Sequence, residues 1–286
     1  MATILFDGIA YGMLLFLISV GLSVTLGMMG FINLAHGVFA MAGGYLLVTL
    51  MARAGIGFFA ALPLIFLACA AGSVVLERAL YRPLYRSTHL KQVLLTVGII
   101  LVAVAVATYA FGPAQQPVRM PPALAGQAMV LGLELSRYKL FLVGVGIAVT
   151  LVLVFGLERT RFGARIRASV DRQATAEAMG IHVGRVFQLT LAIGSGLAGL
   201  GGALGINILG LDPQFPLKTL VYFLLVVVVG GAGSIPGTLL AAMLLGVADT
   251  AGKYWLPDAG AFIIYAAMLA LLLAFPHGLL GRRSFA

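Results

Sequence analysis

The chain has 286 residues, of which 62% are hydrophobic and only 9% charged, and its mean hydropathy is +1.10. Soluble domains carry roughly 25% charged residues, so a soluble fold is excluded, and long apolar runs in place of short alternating strands exclude a transmembrane barrel. The net charge of +9 in such a chain reports on membrane topology through where the basic residues sit, not on nucleic-acid binding.

Runs of about 18 or more apolar residues recur, each able to cross a hydrocarbon core of roughly 30 Å as a helix. MATILFD has no basic n-region, so no cleaved signal peptide is expected. The first span is read at 3–29, followed by a polar break from Gly30 through Asn33 and His36 to Gly37. Spans at 38–51 and 59–76 follow, separated by a turn at Arg53, Gly55 and Gly57. ERALYRPLYRSTHLK (77–91) carries four basic residues and one acid, and Pro83 makes it a poor continuous helix. The fourth span is 92–111. The loop after it, 112–138, holds Pro113, Pro117, Pro121 and Pro122, and AMVLGLELSRY within it reads as a short hairpin.

The fifth span is 140–157. The longest polar stretch follows at 158–187, with six arginines and three acids. The sixth span, 188–209, places Gly194, Gly196, Gly199, Gly201, Gly202 and Gly205 within twelve residues, a face that lets a neighbouring backbone approach closely. After a proline-rich turn at 211–218, the apolar run 219–229 is interrupted at 230–237 and resumes to Val247. Neither half spans comfortably alone, so a broken or re-entrant pair is expected. DTAGKYWLPDAG (249–260) reads as a short polar link whose Tyr254 and Trp255 suit the interface. The last span is 261–275, and the tail carries Arg282 and Arg283. The single cysteine, Cys69, lies in an apolar run and reads as a small packing residue. The fold class is therefore an all-α polytopic membrane protein, one transmembrane domain over 1–286, with about eight to nine helices and broken or re-entrant glycine-rich segments.

Twelve of the eighteen basic residues fall in 77–91, 158–187 and the C-terminal tail. Even numbers of spans separate these segments if the broken segment counts as two passes, so all three share one side. The positive-inside rule makes that side the cytoplasm. The C-terminus is then cytoplasmic, and nine passes would place the N-terminus outside.

The two breaks echo each other as Gly30-x-x-Asn33-x-x-x-Gly37 and Gly230-x-x-Gly233-x-x-x-Gly237. Interrupted segments at corresponding places in two halves of a transporter point to the substrate path. Irregular backbone at membrane depth must line a cavity or be buried in protein. Asn33, His36, Gly37, Gly230, Gly231 and Ser234 are the candidates for that path. The alternative is that the glycines only allow tight helix crossings, while Asn33 and His36 serve broken helix ends. His36, His89, His182 and His277 form no cluster with metal-ligand spacing, so no metal is expected. Ionisable residues within the spans are scarce, with Asp7 and Asp249 near their ends. That scarcity argues against a proton or sodium relay. There is no G-x-x-x-x-G-K-[ST] loop, no H-E-x-x-H and no nucleophile elbow in a suitable context. The chain is not expected to be an enzyme or to hold a cofactor, and any ATP hydrolysis belongs to another chain.

Within 158–187, Asp171 suits an N-cap and Gly180 a C′ stop. The residues between, 172–179, make about two helical turns, roughly 12 Å. Ala174, Ala178 and Met179 form a small apolar face flanked by Arg172, Gln173 and Glu177. Such a helix fits the groove of a cytoplasmic partner, whereas a basic loop lying on anionic lipid would need no capped helix.

At these residues the chain resembles a known family. Glu177-Ala178-x-Gly180-Ile181, preceded by ARIRASVDRQATA (164–176), is similar to the coupling loop of ABC importer permeases of the branched-chain amino-acid, LivH/LivM, type. GLSVTLGMMGFINLAHGVFAMAGGY (21–45), VVVVGGAGSIPGTLLAAMLLG (226–246) and PHGLLGRR (276–283) resemble the family's N-terminal pattern, its glycine-rich C-terminal signature and its ending. The pattern and length are closer to LivH than to LivM. The resemblance implies import of leucine, isoleucine and valine through a pathway shared with a LivM-like second permease. A periplasmic binding protein would deliver the substrate at the bacterial inner membrane. Two ATP-binding subunits, which hold the ATP and magnesium, would dock on Arg172, Glu177, Ala178, Met179 and Gly180. Urea and short-chain amide permeases share much of the pattern and remain an alternative, as does a secondary transporter or channel that works without ATP.

Overall fold

The computed structural model describes residues 1–29, 31, 33–85, 87–130, 132–171, 173–276 and 278–280. Eleven α-helices account for most of it: α1 (Ala2–Met29), α2 (His36–Ala52), α3 (Phe58–Leu76), α4 (His89–Phe111), α5 (Arg137–Glu158), α6 (Arg161–Asp171), α7 (Gln173–Ala178), α8 (Val183–Leu209), α9 (Phe215–Gly230), α10 (Ile235–Trp255) and α11 (Gly260–Ala274). Among the described residues six helices are long and apolar enough to cross a membrane, and three more, His36–Ala52, Phe215–Gly230 and Phe262–Ala274, are apolar but shorter. The expected hairpin is present. β1 (Gln127–Val130) pairs antiparallel with β2 (Leu133–Ser136), from Gln127 opposite Ser136 to Val130 opposite Leu133.

Two helices form the centre. α1 is apolar on every side and buried from Ala10 to Leu22, as a helix without a solvent or lipid face must be. α8 is buried along most of its length and lies against α1, α2 and α3. Lipid tails are as apolar as leucine, so association in a membrane depends on close van der Waals contact. The glycine face of α8 provides it. A Cβ at Gly194 would lie 3.0 Å from Gly21 Cα, one at Gly196 2.8 Å from the Phe66 ring, and one at Gly201 2.7 Å from Ile18 Cγ1. A side chain at Gly202 would run into the Ala40 backbone. Cys69 packs here, with its Sγ 3.7 Å from the Phe39 carbonyl. α1 and α10 cross just as closely, since a Cβ at Gly246 would lie 2.5 Å from the Gly12 nitrogen. α4 has a broad exposed apolar side, including Leu94, Leu101 and Val102.

Three expectations are corrected. First, α10 continues to Trp255, so it is long and apolar enough to cross alone, and 249–255 is helix instead of polar link. Asp249 is tolerated there because Lys253, one turn on, meets its carboxylate at 2.5 Å. The helix stops before Pro257, as the residue ahead of a proline disfavours helical backbone. Second, α3 does not end in a loop at residue 77. Glu77–Tyr81 continue as a π-helical turn and Arg82–Leu84 as a 3₁₀ turn, with Pro83 in a first turn where its missing N–H costs nothing. Third, 161–171 is helical, burying Gly163, Ile166 and Ser169 on one side and exposing Arg161 and Arg165. Asp171 is the last residue of α6, not a free cap ahead of a solitary helix.

Candidate functional site

The breaks differ in construction. The second is a tight turn between α9 and α10, made possible by Gly231 (φ +89°) and Gly233 (φ +85°), where a side chain would be strained. Ser234 caps α10, accepting the Gly237 N–H at 3.1 Å. The turn is fastened to α1: the Gly233 N–H donates to the Ser23 carbonyl at 2.9 Å, and Thr238 Oγ1 lies 2.7 Å from Ser23 Oγ. The last described residues return to the same place. The Leu279 N–H donates to the Val229 carbonyl at 2.7 Å, satisfying one of the carbonyls a helix end leaves open.

The first break is deeper. His36 opens α2, and its Nε2 lies 2.9 Å from the Ile18 carbonyl in the middle of α1. A carbonyl only accepts, so Nε2 carries the proton. α1 runs on for roughly 16 Å beyond Ile18. The chain therefore turns back and starts α2 well inside the bundle. Phe31, Asn33 and Ala35 between them are buried, which is where irregular backbone at membrane depth is tolerated. The Tyr81 hydroxyl, 3.4 Å away, points at Asn33 Oδ1, while among the described residues Asn33 Nδ2 and His36 Nδ1 have no hydrogen-bond partner. Gly37 lies against α9, where a Cβ would be 3.1 Å from the Phe223 ring.

Both sets of candidate path residues thus border α1, at different levels, and among the described residues no hydrogen bond joins them. Asn33, His36, Gly37, Gly230 and Gly231 are buried and Ser234 is half-buried. A small apolar crevice of about 40 Å³ lies beside Gly21, Gly194 and Ile166. A larger polar cleft of about 420 Å³ opens at the other end, between Gln115, Gln116 and Asn207.

The expected docking segment is ordered by its own sequence. Gly180 adopts φ +81°, its N–H donates to the Glu177 carbonyl at 3.0 Å, and the Ile181 N–H reaches back to the Ala176 carbonyl at 3.0 Å. This is the paired-bond C-terminal cap that glycine permits. Ala176 is fully buried against Val183, Phe187, Ile181 and Tyr85. That anchor turns Glu177, Ala178, Met179 and Gly180 outward, with Met179 68% exposed. Arg172 lies outside the described residues.

One cluster has no local signature in the sequence. Glu77 is only 2% exposed, and its carboxylate accepts the Tyr85 hydroxyl at 2.9 Å and the Gln188 amide at 2.7 Å. Burial, reinforced by the Glu77 carboxylate, pushes the Tyr85 phenol well above its ordinary pKa, so it remains a donor. The bonds join Glu77 and Tyr85 to Gln188 in the early part of α8, and Phe31, just past α1, packs on Tyr85 at 5.8 Å. At the opposite end the Gln116 N–H donates to the Leu211 carbonyl. There Lys139, Lys218 and Lys253 each meet an acid: Asp7 at 2.8 Å, Asp212 and Asp249.

The fold and these features define an integral membrane protein of packed, glycine-faced helices with two interrupted segments and an exposed short helix at one end. Residues 4–272 match the family described as the permease component of branched-chain amino acid transport systems, and the chain belongs to that family. It is 29% identical to the high-affinity branched-chain amino acid transport system permease protein BraD of Pseudomonas aeruginosa, over 97% of this chain and 95% of the relative. It is 27% identical to the corresponding LivH protein of Escherichia coli, over 97% and 94%. A probable LivH of Methanocaldococcus jannaschii is 28% identical over 97% and 92%. No solved structure matches.

Proposed function

We propose that this chain is one transmembrane subunit of an ATP-driven importer for branched-chain amino acids. The observation that carries the proposal is the exposed Glu177–Gly180 patch on α7, anchored beneath by Ala176, in a chain that matches a transport-permease family along nearly its whole length. A six-residue helix is too short to be stable alone, so its anchoring and capping favour a binding role over a passive link.

In this reading α1–α5 and α8–α11 make nine passes, with the basic end cytoplasmic, the C-terminus inside and the N-terminus outside. The protein resides in a bacterial inner membrane. Two ATP-binding subunits, which hold the nucleotide and magnesium, dock at the α7 patch, and Arg172 is proposed as a further contact. A LivM-like subunit completes the path, and a periplasmic binding protein supplies the substrate at the end that carries the Gln115–Asn207 cleft. Asn33, His36, Gly37, Gly230, Gly231 and Ser234 shape the two broken segments, which α1 joins. Their burial implies that the path opens by rearrangement of these segments.

The substrate class is tested with the complex and its cognate binding protein in proteoliposomes. Radiolabelled leucine should enter, isoleucine and valine should compete, and urea should not. Uptake of urea or a short-chain amide in preference to leucine would refute the assignment.

A further inference from the structure

The exposed helix and the first break are far apart in sequence, yet a continuous set of contacts joins them. Ala176 of α7 lies in one apolar cluster with Val183 and Phe187 at the start of α8. Phe187 meets the Tyr85 ring edge-on at 6.2 Å, and Tyr85 meets Phe31 edge-on at 5.8 Å. Phe31 also packs on Tyr81 at 5.3 Å, and the Tyr81 hydroxyl faces Asn33, whose carbonyl accepts the His36 N–H at 3.3 Å. Rings that interlock in this way transmit displacement, because close-packed interiors do not absorb it.

Glu77 sits across this chain. Its carboxylate takes one hydrogen bond from Tyr85, in the segment after α3, and one from Gln188, on α8 next to Phe187. A buried carboxylate needs such partners, so the three groups hold a fixed geometry. Glu77 also begins the π-helical turn at Glu77–Tyr81, a local widening of the helix that recurs at functional sites. Gln92 Nε2 donates to the Leu84 carbonyl at 3.1 Å and ties the segment to α4.

We propose that Glu77 and Tyr85 are positioning residues that link movement of α7 to the broken segment at 31–36, through the Phe187, Phe31 and Tyr81 rings. The proposal rests on the reading of α7 as the docking element. It gives the π turn a purpose: the turn places the carboxylate beside both Tyr85 and α8.

The test uses the complex purified with its ATP-binding subunits and a single reporter cysteine, Leu34→Cys, in a Cys69→Ala background. Leu34 lies within the break and is half-buried. Maleimide labelling at position 34 is timed with and without ATP and vanadate, and ATPase co-purification is measured in parallel. The rate should depend on nucleotide in the reference complex. Tyr85→Phe and Glu77→Leu should keep the ATPase subunits bound yet reduce that dependence about tenfold, the factor carried by one hydrogen bond to a charged group. Glu77→Gln, which can still accept from Tyr85 and bond Gln188, should retain most of it. A full nucleotide response in Tyr85→Phe with ATPase bound would overturn the link. So would a reference complex that hydrolyses ATP without any change at position 34. Should Glu77→Leu fail to fold, Tyr85→Phe, which removes one oxygen, decides alone. Failure of the docking reading registers separately, as ATPase subunits that stay bound when the α7 patch is altered by Ala178→Arg.

Discussion

Gly180→Ala is the most informative single change in α7. Gly180 adopts φ +81°, and nothing lies within 4 Å of where a Cβ would stand. The substitution therefore costs no packing, only the strain of a left-handed backbone, about 1–2 kcal/mol for a residue with a Cβ. α7 has six residues and little stability of its own, so the cost falls on the paired cap from Gly180 and Ile181. A loss of that size shifts a local equilibrium roughly 5- to 30-fold. Hydrogen exchange of the Gly180 and Ile181 amides should accelerate by that factor, and ATPase subunits should bind correspondingly less. Exchange along α1 and α8 should be unchanged. Gly180→Asn should recover part of the loss, since asparagine also serves at this cap. Wild-type exchange and wild-type ATPase binding in Gly180→Ala would refute the account of how α7 is ordered.

Three further outcomes test the packing. Gly246→Leu, aimed at the Gly12 backbone from 2.5 Å, should cost about 3 kcal/mol or more in detergent unfolding, at or beyond the upper range for overpacking. Gly72→Ala, with open space around it, should be neutral or gain about 0.5–1 kcal/mol. Lys253→Met strands the buried Asp249 carboxylate and should destabilise by about 3–5 kcal/mol, whereas the double variant Asp249→Asn with Lys253→Met should recover most of that. Equal losses in the single and double variants would mean that Lys253 acts by something other than neutralising Asp249.

Much of the fold was legible because membrane helices announce themselves by length and apolarity. The α8 glycine face needed no partner sequence to be read as a close contact, and Gly180 marked the end of α7 because left-handed backbone favours glycine. The reading faltered where a charge is neutralised by tertiary or one-turn contacts. Asp249 and Lys253 look like a loop until their spacing is seen as one helical turn. Glu77 looks like one more charge in a basic loop because its partner Gln188 is 111 residues away. The arginines of 159–167 hid α6, whose buried side among the described residues is Gly163, Ile166 and Ser169. The candidate path residues were located as breaks, but nothing local could say that α2 would begin at the level of Ile18.

The central claim is that transport through this chain is driven by ATP hydrolysed on subunits docked at α7. It is tested most directly by leucine uptake into proteoliposomes that contain the permease pair, with and without the ATP-binding subunits, for wild type and Ala178→Arg. Ala178 is exposed, so the substitution should leave the fold intact. Uptake should require both ATP and the ATP-binding subunits and should be lost in Ala178→Arg. Leucine uptake that persists without those subunits, or that is undiminished by Ala178→Arg, would contradict the account.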